Sequence, residues 1–138
     1  MKIKLLLVGL LFFAFHSYGQ QDKPKFDTAK CKMKLTQFLL STHSVTMTAI
    51  AEEDVKTKLL LRTKAVKYLE YASNQYTQLK NNTKIDSALN KDLMGLFDAY
   101  SGILEDRQKI YNPEIAFALQ ILESVYKLKI LPKLWGNK

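Results

Sequence analysis

Apolar residues recur at spacings of three and four along most of this chain, and this periodicity is the feature that most restricts its fold. Such spacing matches one face of an α-helix, whereas a half-buried strand would alternate apolar and polar residues. Beyond about residue 20, no sustained alternation bounded by turns occurs. Glycine and proline, which interrupt helices, number only five and three. The sequence therefore predicts an all-α protein.

The first two predicted helices cover about residues 28–51 and 54–80. Asp27 precedes the first helix and is a suitable N-cap. Neither glycine nor proline separates the two helices. We place the break at Ala51–Asp54, because one uninterrupted helix would be about 80 Å long. The polar cluster Ser41–Ser44 is the alternative position for the break.

The third and fourth helices have clearer boundaries. Asn81-Asn82 ends the second helix, and Thr83-Lys84-Ile85-Asp86 resembles a capping box that opens a third helix to about Tyr111. Asn112-Pro113-Glu114 combines a cap, a proline at the first helical position and an acidic residue at the positive end of the next helix. Pro132 disfavours helical geometry in the residue before it and should end the fourth helix.

Each predicted helix has one apolar arc, which suggests that the arcs meet in a shared core. In the fourth helix this arc is predicted to comprise Ile115, Ala118, Leu119, Ile121, Leu122, Val125, Tyr126 and Leu128. Long amphipathic helices with short links favour an antiparallel four-helix bundle.

The first 19 residues have the organisation of a cleavable signal peptide. Two lysines precede an uncharged apolar run from Leu5 to Phe15, and the small residues Ser17 and Gly19 stand just before a predicted cut at Gln20. The run is shorter than the roughly 20 residues that span a bilayer, which argues against a membrane anchor. The junction resembles those of exported proteins of Gram-negative bacteria. We therefore expect a signal peptide over residues 1–19 and an exported domain, periplasmic or secreted.

The exported domain, residues 20–138, is expected to be a single helical bundle with a basic surface. Two of the 21 Lys and Arg residues leave with the leader, so 19 remain against 13 acidic residues, a net charge of +6. These basic residues are spread along the chain, whereas a nucleic-acid-binding protein concentrates them on one face. The charge favours an acidic protein partner or an anionic envelope surface over nucleic acid. The oligomeric state is left open.

Cys31 and His43 are the only cysteine and histidine of this domain, which leaves little for catalysis or metal binding. They lie twelve residues apart on one helix, about 18 Å, too far for a Cys–His pair. Zinc, haem and di-iron sites need ligand motifs that the chain lacks. We therefore expect no enzyme activity, no metal and no cofactor. Both side chains are expected in the core, Cys31 as a small apolar residue.

Two arginines interrupt the apolar arcs. Arg62 lies at the centre of the apolar face of the second helix, and Arg107 has a similar position on the third. An unpaired buried charge is costly, so each needs a partner acid such as Asp92, a route to solvent, or a bound anion. A structural role is favoured, and an anion-binding pocket is the functional alternative.

Small residues form a stripe along the third helix, made of Ala88, Gly95, Ala99 and Gly102. A glycine inside a helix costs roughly 1 kcal/mol against alanine, so close approach of another helix is the expected compensation. The interpretation favoured from sequence is a neighbouring helix of the same bundle. A helix of a partner protein is the alternative, which makes Gly95, Ala99 and Gly102 candidate binding residues.

Three functions agree with these features. The first is a non-enzymatic protein of the cell envelope that binds another protein, with an acidic surface as the expected complement. The second is an immunity or inhibitor protein that neutralises a toxin acting in the periplasm. The third is a carrier or sensor-like bundle for a small anionic ligand, using Arg62 and Arg107.

Overall fold

The structure is a computed structural model that describes residues 25–136, so the predicted signal peptide lies outside the described residues. Within this range the chain is all-helical and contains no strand. Four main helices follow one another: α1 (Thr28–Ala51), α2 (Val55–Asn82), α3 (Ser87–Glu105) and α4 (Ile115–Val125). A π-helical turn (Tyr126–Ile130) and a short α5 (Leu131–Leu134) continue α4.

The predicted break between α1 and α2 is confirmed. The Asp27 carboxylate accepts a hydrogen bond from the Lys30 backbone N–H at 3.0 Å and caps α1. Glu52 leaves helical geometry, and Asp54 caps α2 through the backbone N–H of Thr57 at 2.9 Å. Side-chain capping therefore replaces the glycine or proline that usually separates helices.

The third helix is shorter at both ends than predicted. Its N-cap is Asp86 rather than Thr83, and it ends at Glu105 rather than near Tyr111. Asp106 has an extended backbone, and its carboxylate accepts a hydrogen bond from the Gln108 N–H at 2.9 Å. This local turn competes with continued helix.

The fourth helix continues past the point where the proline was predicted to end it. The backbone N–H of Leu131 bonds to the carbonyl of Tyr126, five residues earlier, and Pro132 lies in the first turn of α5. A proline ring clashes with the carbonyl four residues before it in a regular helix. The wider π-helical turn relieves this clash, so the chain stays helical to Leu134.

A buried lysine joins three parts of the fold. Lys58, at the start of α2, is only 5% exposed. Its Nζ donates hydrogen bonds to the carbonyls of Ala49 at 2.7 Å, Ile50 at 2.9 Å and Ile110 at 3.0 Å. The first two carbonyls are at the negative end of α1, where a cation is favourable. Lys58 thus fixes the α1–α2 link and the 3₁₀ turn Lys109–Tyr111 to one another.

The core draws side chains from all four main helices. Its completely buried members include Leu35, Leu79, Leu93, Leu104, Leu119 and Ile130. The predicted inner arc of the fourth helix is partly wrong, because Ala118, Ile121 and Leu128 are exposed. Leu119 and Tyr126 are buried as predicted. Among the described residues, no helix is long and apolar enough to cross a membrane.

Candidate functional site

Arg62 lies at the mouth of a groove between α2 and α3. The side chain is half-buried, and its Nη2 donates a hydrogen bond to the backbone carbonyl of Glu105 at 3.2 Å. Its Nε is buried and has no hydrogen-bond partner among the described residues. The groove has a volume of about 340 Å³, with Leu69, Phe97 and Leu104 among its lining residues. Arg62 therefore binds the C-terminal end of α3 and retains unused donors.

Arg107 does not join Arg62 in this groove. It lies beyond the end of α3, in the turn before Lys109–Tyr111, and its side chain is exposed. The sequence pattern placed it on an apolar arc because the helix was expected to continue past Glu105. Asp92, the proposed partner acid, forms an ion pair with Lys133 at 2.9 Å instead. The structure therefore does not bring the two arginines together in an internal pocket.

The small-residue stripe of α3 is not covered by another helix of this chain. A Cβ atom built at Gly95 or Gly102 would meet no atom of the described residues within 4 Å. Gly95 is exposed, while Ala99 and Gly102 are half-buried. The expectation that a neighbouring helix of the same bundle packs closely on this stripe is therefore wrong. The glycines are tolerated at a helix surface that faces open space.

His43 forms a hydrogen-bonded cluster that joins α1, α3 and α4. Its Nδ1 lies 2.7 Å from the Tyr100 hydroxyl, and its Nε2 lies 2.8 Å from Oε2 of Glu123. Glu123 also accepts a hydrogen bond from Lys127 Nζ at 2.6 Å. The carboxylate can only accept, so in the neutral imidazole Nε2–H donates to Glu123 and the tyrosine hydroxyl donates to Nδ1.

The cluster lines a cavity of about 240 Å³ together with Leu39 and Leu96. Burial, followed by the negative charge of Glu123, raises the pKa of Tyr100 well above its usual range. The pKa of Glu123 is lowered, first by the hydrogen bond from Lys127. Both ring nitrogens of His43 therefore have hydrogen-bond partners within the chain. This agrees with the prediction that His43 is a satisfied structural histidine.

Tyr126 lines the same cavity with a mostly buried ring. Burial raises the pKa of its hydroxyl, and a nearby Thr36 side chain partly offsets this shift. The hydroxyl is buried and has no hydrogen-bond partner among the described residues.

The solvent side of α4 carries large apolar side chains that sequence reasoning assigned to the core or overlooked. Phe117 is 68% exposed, Ile121 65% and Leu128 76%. With the exposed Ser124 they follow spacings of four, three and four, the spacing of a helix-packing seam. We call Phe117, Ile121, Ser124 and Leu128 the outer face of α4. A signal for it exists in the sequence, since residues 115–122 are apolar around most of the helix and carry no charge.

The charges near the outer face of α4 are unevenly distributed. No charged residue occurs from Ile115 to Leu122, whereas Lys127 and Lys129 flank Leu128. Lys127 is paired with Glu123 at 2.6 Å. The outer face is therefore uncharged at its beginning and basic at its end.

Cys31 is buried near the start of α1, as predicted. Its Sγ donates a hydrogen bond to the Gln75 backbone carbonyl at 3.2 Å, and burial raises the pKa of the thiol. A protonated, buried thiol is unreactive. Within residues 25–136 no group of three or more His, Cys, Asp or Glu side chains could hold a metal ion.

No protein-family model matches the chain, and neither a curated protein nor a solved structure matches it.

Proposed function

We propose that this chain is a non-enzymatic, exported helical-bundle protein of the cell envelope that binds another protein through the outer face of α4. The observation that carries this proposal is the exposure of Phe117 and Ile121 on α4 and of Leu128 in the π-helical turn that continues it. Isolated exposed apolar side chains are common, but contiguous apolar patches usually mark interaction surfaces. Export is inferred from the leader pattern of residues 1–19.

The spacing of the outer face favours a helix as the partner's contacting element. Phe117, Ile121 and Ser124 lie at intervals of four and three along α4, and Leu128 follows in the π-helical turn, so a second amphipathic helix can pack its own apolar seam against them. Lys127 and Lys129 at one end of the seam favour acidic residues at the corresponding end of the partner. The net charge of +6 opposes packing a second copy of the domain on this surface.

The proposed architecture is an antiparallel four-helix bundle that holds α4 by its inner side. Cys31 near the start of α1 contacts Gln75 near the end of α2, and Arg62 near the start of α2 contacts Glu105 at the end of α3. Leu119 and Tyr126 anchor α4 to the core, and Glu123 anchors it to His43. A helix fixed in this way presents its outer face without further rearrangement.

Capture from an envelope extract tests the proposal. The immobilised mature domain should retain a partner protein, and Ile121→Glu should abolish retention because it places a charge at the centre of the apolar seam. The matched control is Leu60→Glu on α2, where the leucine is 63% exposed and lies outside the outer face. This control should retain the same partner as the wild type, and circular dichroism should show that both variants stay folded.

Two results would contradict the proposal. One is equal retention of all captured proteins by the wild type and Ile121→Glu. The other is a dimer in light-scattering measurements that Ile121→Glu converts to a monomer, which would assign the outer face of α4 to a second copy of the chain.

A further inference from the structure

The groove between α2 and α3 contains charges of both signs that are not matched with each other. Arg62 lies at one side, and Glu70 and Glu105 also line the groove. Neither carboxylate forms an ion pair with any of the described residues. Both acids are exposed to solvent. The groove is thus lined by two carboxylates without an ion-pair partner and by a guanidinium with only one of its donors in use.

Arg62 is the group that most clearly lacks a partner. A guanidinium has five N–H donors, and hydrogen bonding within the described chain uses one of them, on Nη2. The Nε also has no acceptor among the described residues, but it is buried from solvent, so a ligand in the groove would bind the remaining Nη donors. A carboxylate is the acceptor that matches a guanidinium best, because it can take two parallel hydrogen bonds from it.

The other residues that line the groove indicate which further groups a ligand with a carboxylate should have. Leu69, Phe97 and Leu104 form an apolar floor, and the hydroxyls of Ser73 and Ser101 form no hydrogen bond with the described residues. A ligand with only a negative group would bind Arg62 but would be repelled by the carboxylates of Glu70 and Glu105. A ligand with an ammonium group as well would satisfy these acids, since charge-assisted hydrogen bonds are the strong ones.

The size of the groove restricts the ligand further. About 340 Å³ lies at the lower end of the range of roughly 300–1,000 Å³ for small-molecule sites. The cavity beside His43, at about 240 Å³, falls below this range. We infer that the α2–α3 groove binds a small zwitterion with an apolar body, the chemistry of an apolar amino acid or a short apolar peptide. This ligand is independent of the protein partner on α4.

Calorimetric titration of the mature domain with three matched probes tests the inference. The probes are L-phenylalanine, 3-phenylpropionate, which lacks the ammonium group, and 2-phenylethylamine, which lacks the carboxylate. We expect L-phenylalanine to bind at least about tenfold more tightly than either single-charge probe, because each of them loses one charge-assisted contact. Absence of binding by L-phenylalanine, or equal binding of all three probes, would overturn the inference.

Three variants assign the binding to the groove. Arg62→Met keeps the apolar stem of the side chain and should weaken L-phenylalanine binding about tenfold. Glu70→Gln should also weaken this binding, and it should have little effect on stability because Glu70 is exposed. Arg107→Met is the control, because Arg107 lies outside the groove and should not affect affinity. Unchanged affinity in Glu70→Gln would overturn the inference even if Arg62→Met proved unstable.

Discussion

At the scale of single residues, Lys58 shows how a polar side chain can hold a helical core together. Its ammonium group is enclosed by three backbone carbonyls, two at the end of α1 and one from Ile110. The Nζ also lies 5.4 Å from the centre of the Tyr111 ring, which adds a cation–π contact. The last carbonyls of a helix have no intrahelical donor. When such a carbonyl is buried without a hydrogen bond, it lowers the stability of the folded protein.

Replacing this lysine should therefore destabilise the domain. We expect Lys58→Met to lower the free energy of unfolding by about 3 kcal/mol, because it retains the length of the side chain but removes the ammonium donor that the carbonyls of Ala49, Ile50 and Ile110 share. Urea denaturation monitored by circular dichroism measures the change. Lys56→Met removes an exposed lysine from the same turn and should change stability by less than about 0.5 kcal/mol. A similarly small effect of Lys58→Met would show that water replaces the ammonium group.

At the scale of elements, α3 and α4 differ in how they meet solvent. The outer side of α3 carries the small residues Gly95 and Gly102 above open space. The outer side of α4 carries Phe117 and Ile121, which are large and mostly exposed. An apolar side chain that stays exposed to water contributes no burial free energy to folding. A glycine in a helix merely makes the helix less stable than alanine would. The exposed apolar residues of α4 therefore point to function more strongly than the glycines of α3.

The exposed glycines predict a gain in stability. Gly95→Ala and Gly102→Ala should each raise the free energy of unfolding by about 0.5–1 kcal/mol, because alanine favours helix and the added methyl group meets no atom of the described chain. Thermal melts of the two variants measure the gain. Gly136→Ala is the contrasting variant, since Gly136 has φ of +71° and an alanine there should bring no gain. A loss of stability at Gly95 would mean that an unseen surface packs against α3.

At the scale of the whole molecule, the cluster around His43 fixes three helices to one another. His43 belongs to α1, Tyr100 to α3 and Glu123 to α4. Lys127 extends the cluster by pairing with Glu123. Contacts between helices distant in sequence restrict their relative positions, which sequence periodicity alone does not do.

This cluster predicts how stability depends on pH. The pKa of Glu123 is lower in the folded protein than its ordinary value of 4.5, chiefly because Lys127 donates a hydrogen bond to it. Its contribution is therefore fully present above about pH 4.5 and is lost as the pH falls through the lowered pKa. Urea denaturation at pH 7, 4 and 3 should show a smaller loss of stability on acidification for Glu123→Gln than for the wild type.

The effect should be reduced rather than abolished, because the pKa values of Asp54 and Asp92 are also lowered in the folded state. Lys127→Met removes the main cause of the shift at Glu123 and should reduce the pH dependence in the same direction. An identical pH dependence in the wild type and Glu123→Gln would contradict this account.

The helical class and the break after α1 could be predicted from sequence because both depend on neighbours along the chain. Apolar spacing selects helix over strand, and Asp27 caps α1 as expected from its position. The end of α3 and the continuation through Pro132 could not be predicted, since they depend on a competing turn at Asp106 and a π-helical turn before the proline. The candidate site was found only in part: Arg62 was identified, but its groove was not.

What the sequence determined by itself is therefore local: which segments are helical, where most of them begin, and that Cys31 and His43 lie towards the core. Only the tertiary structure decided which apolar side chains are covered. α4 is apolar on more than one side, and periodicity cannot tell which side meets the core when both satisfy helical spacing. The burial of Leu119 and the exposure of Ile121 follow from contacts with α1 and α3, which are distant in sequence. The early end of α3 separates Arg107 from the groove of Arg62, and the packing of α1 on α2 places Lys58 at the end of α1.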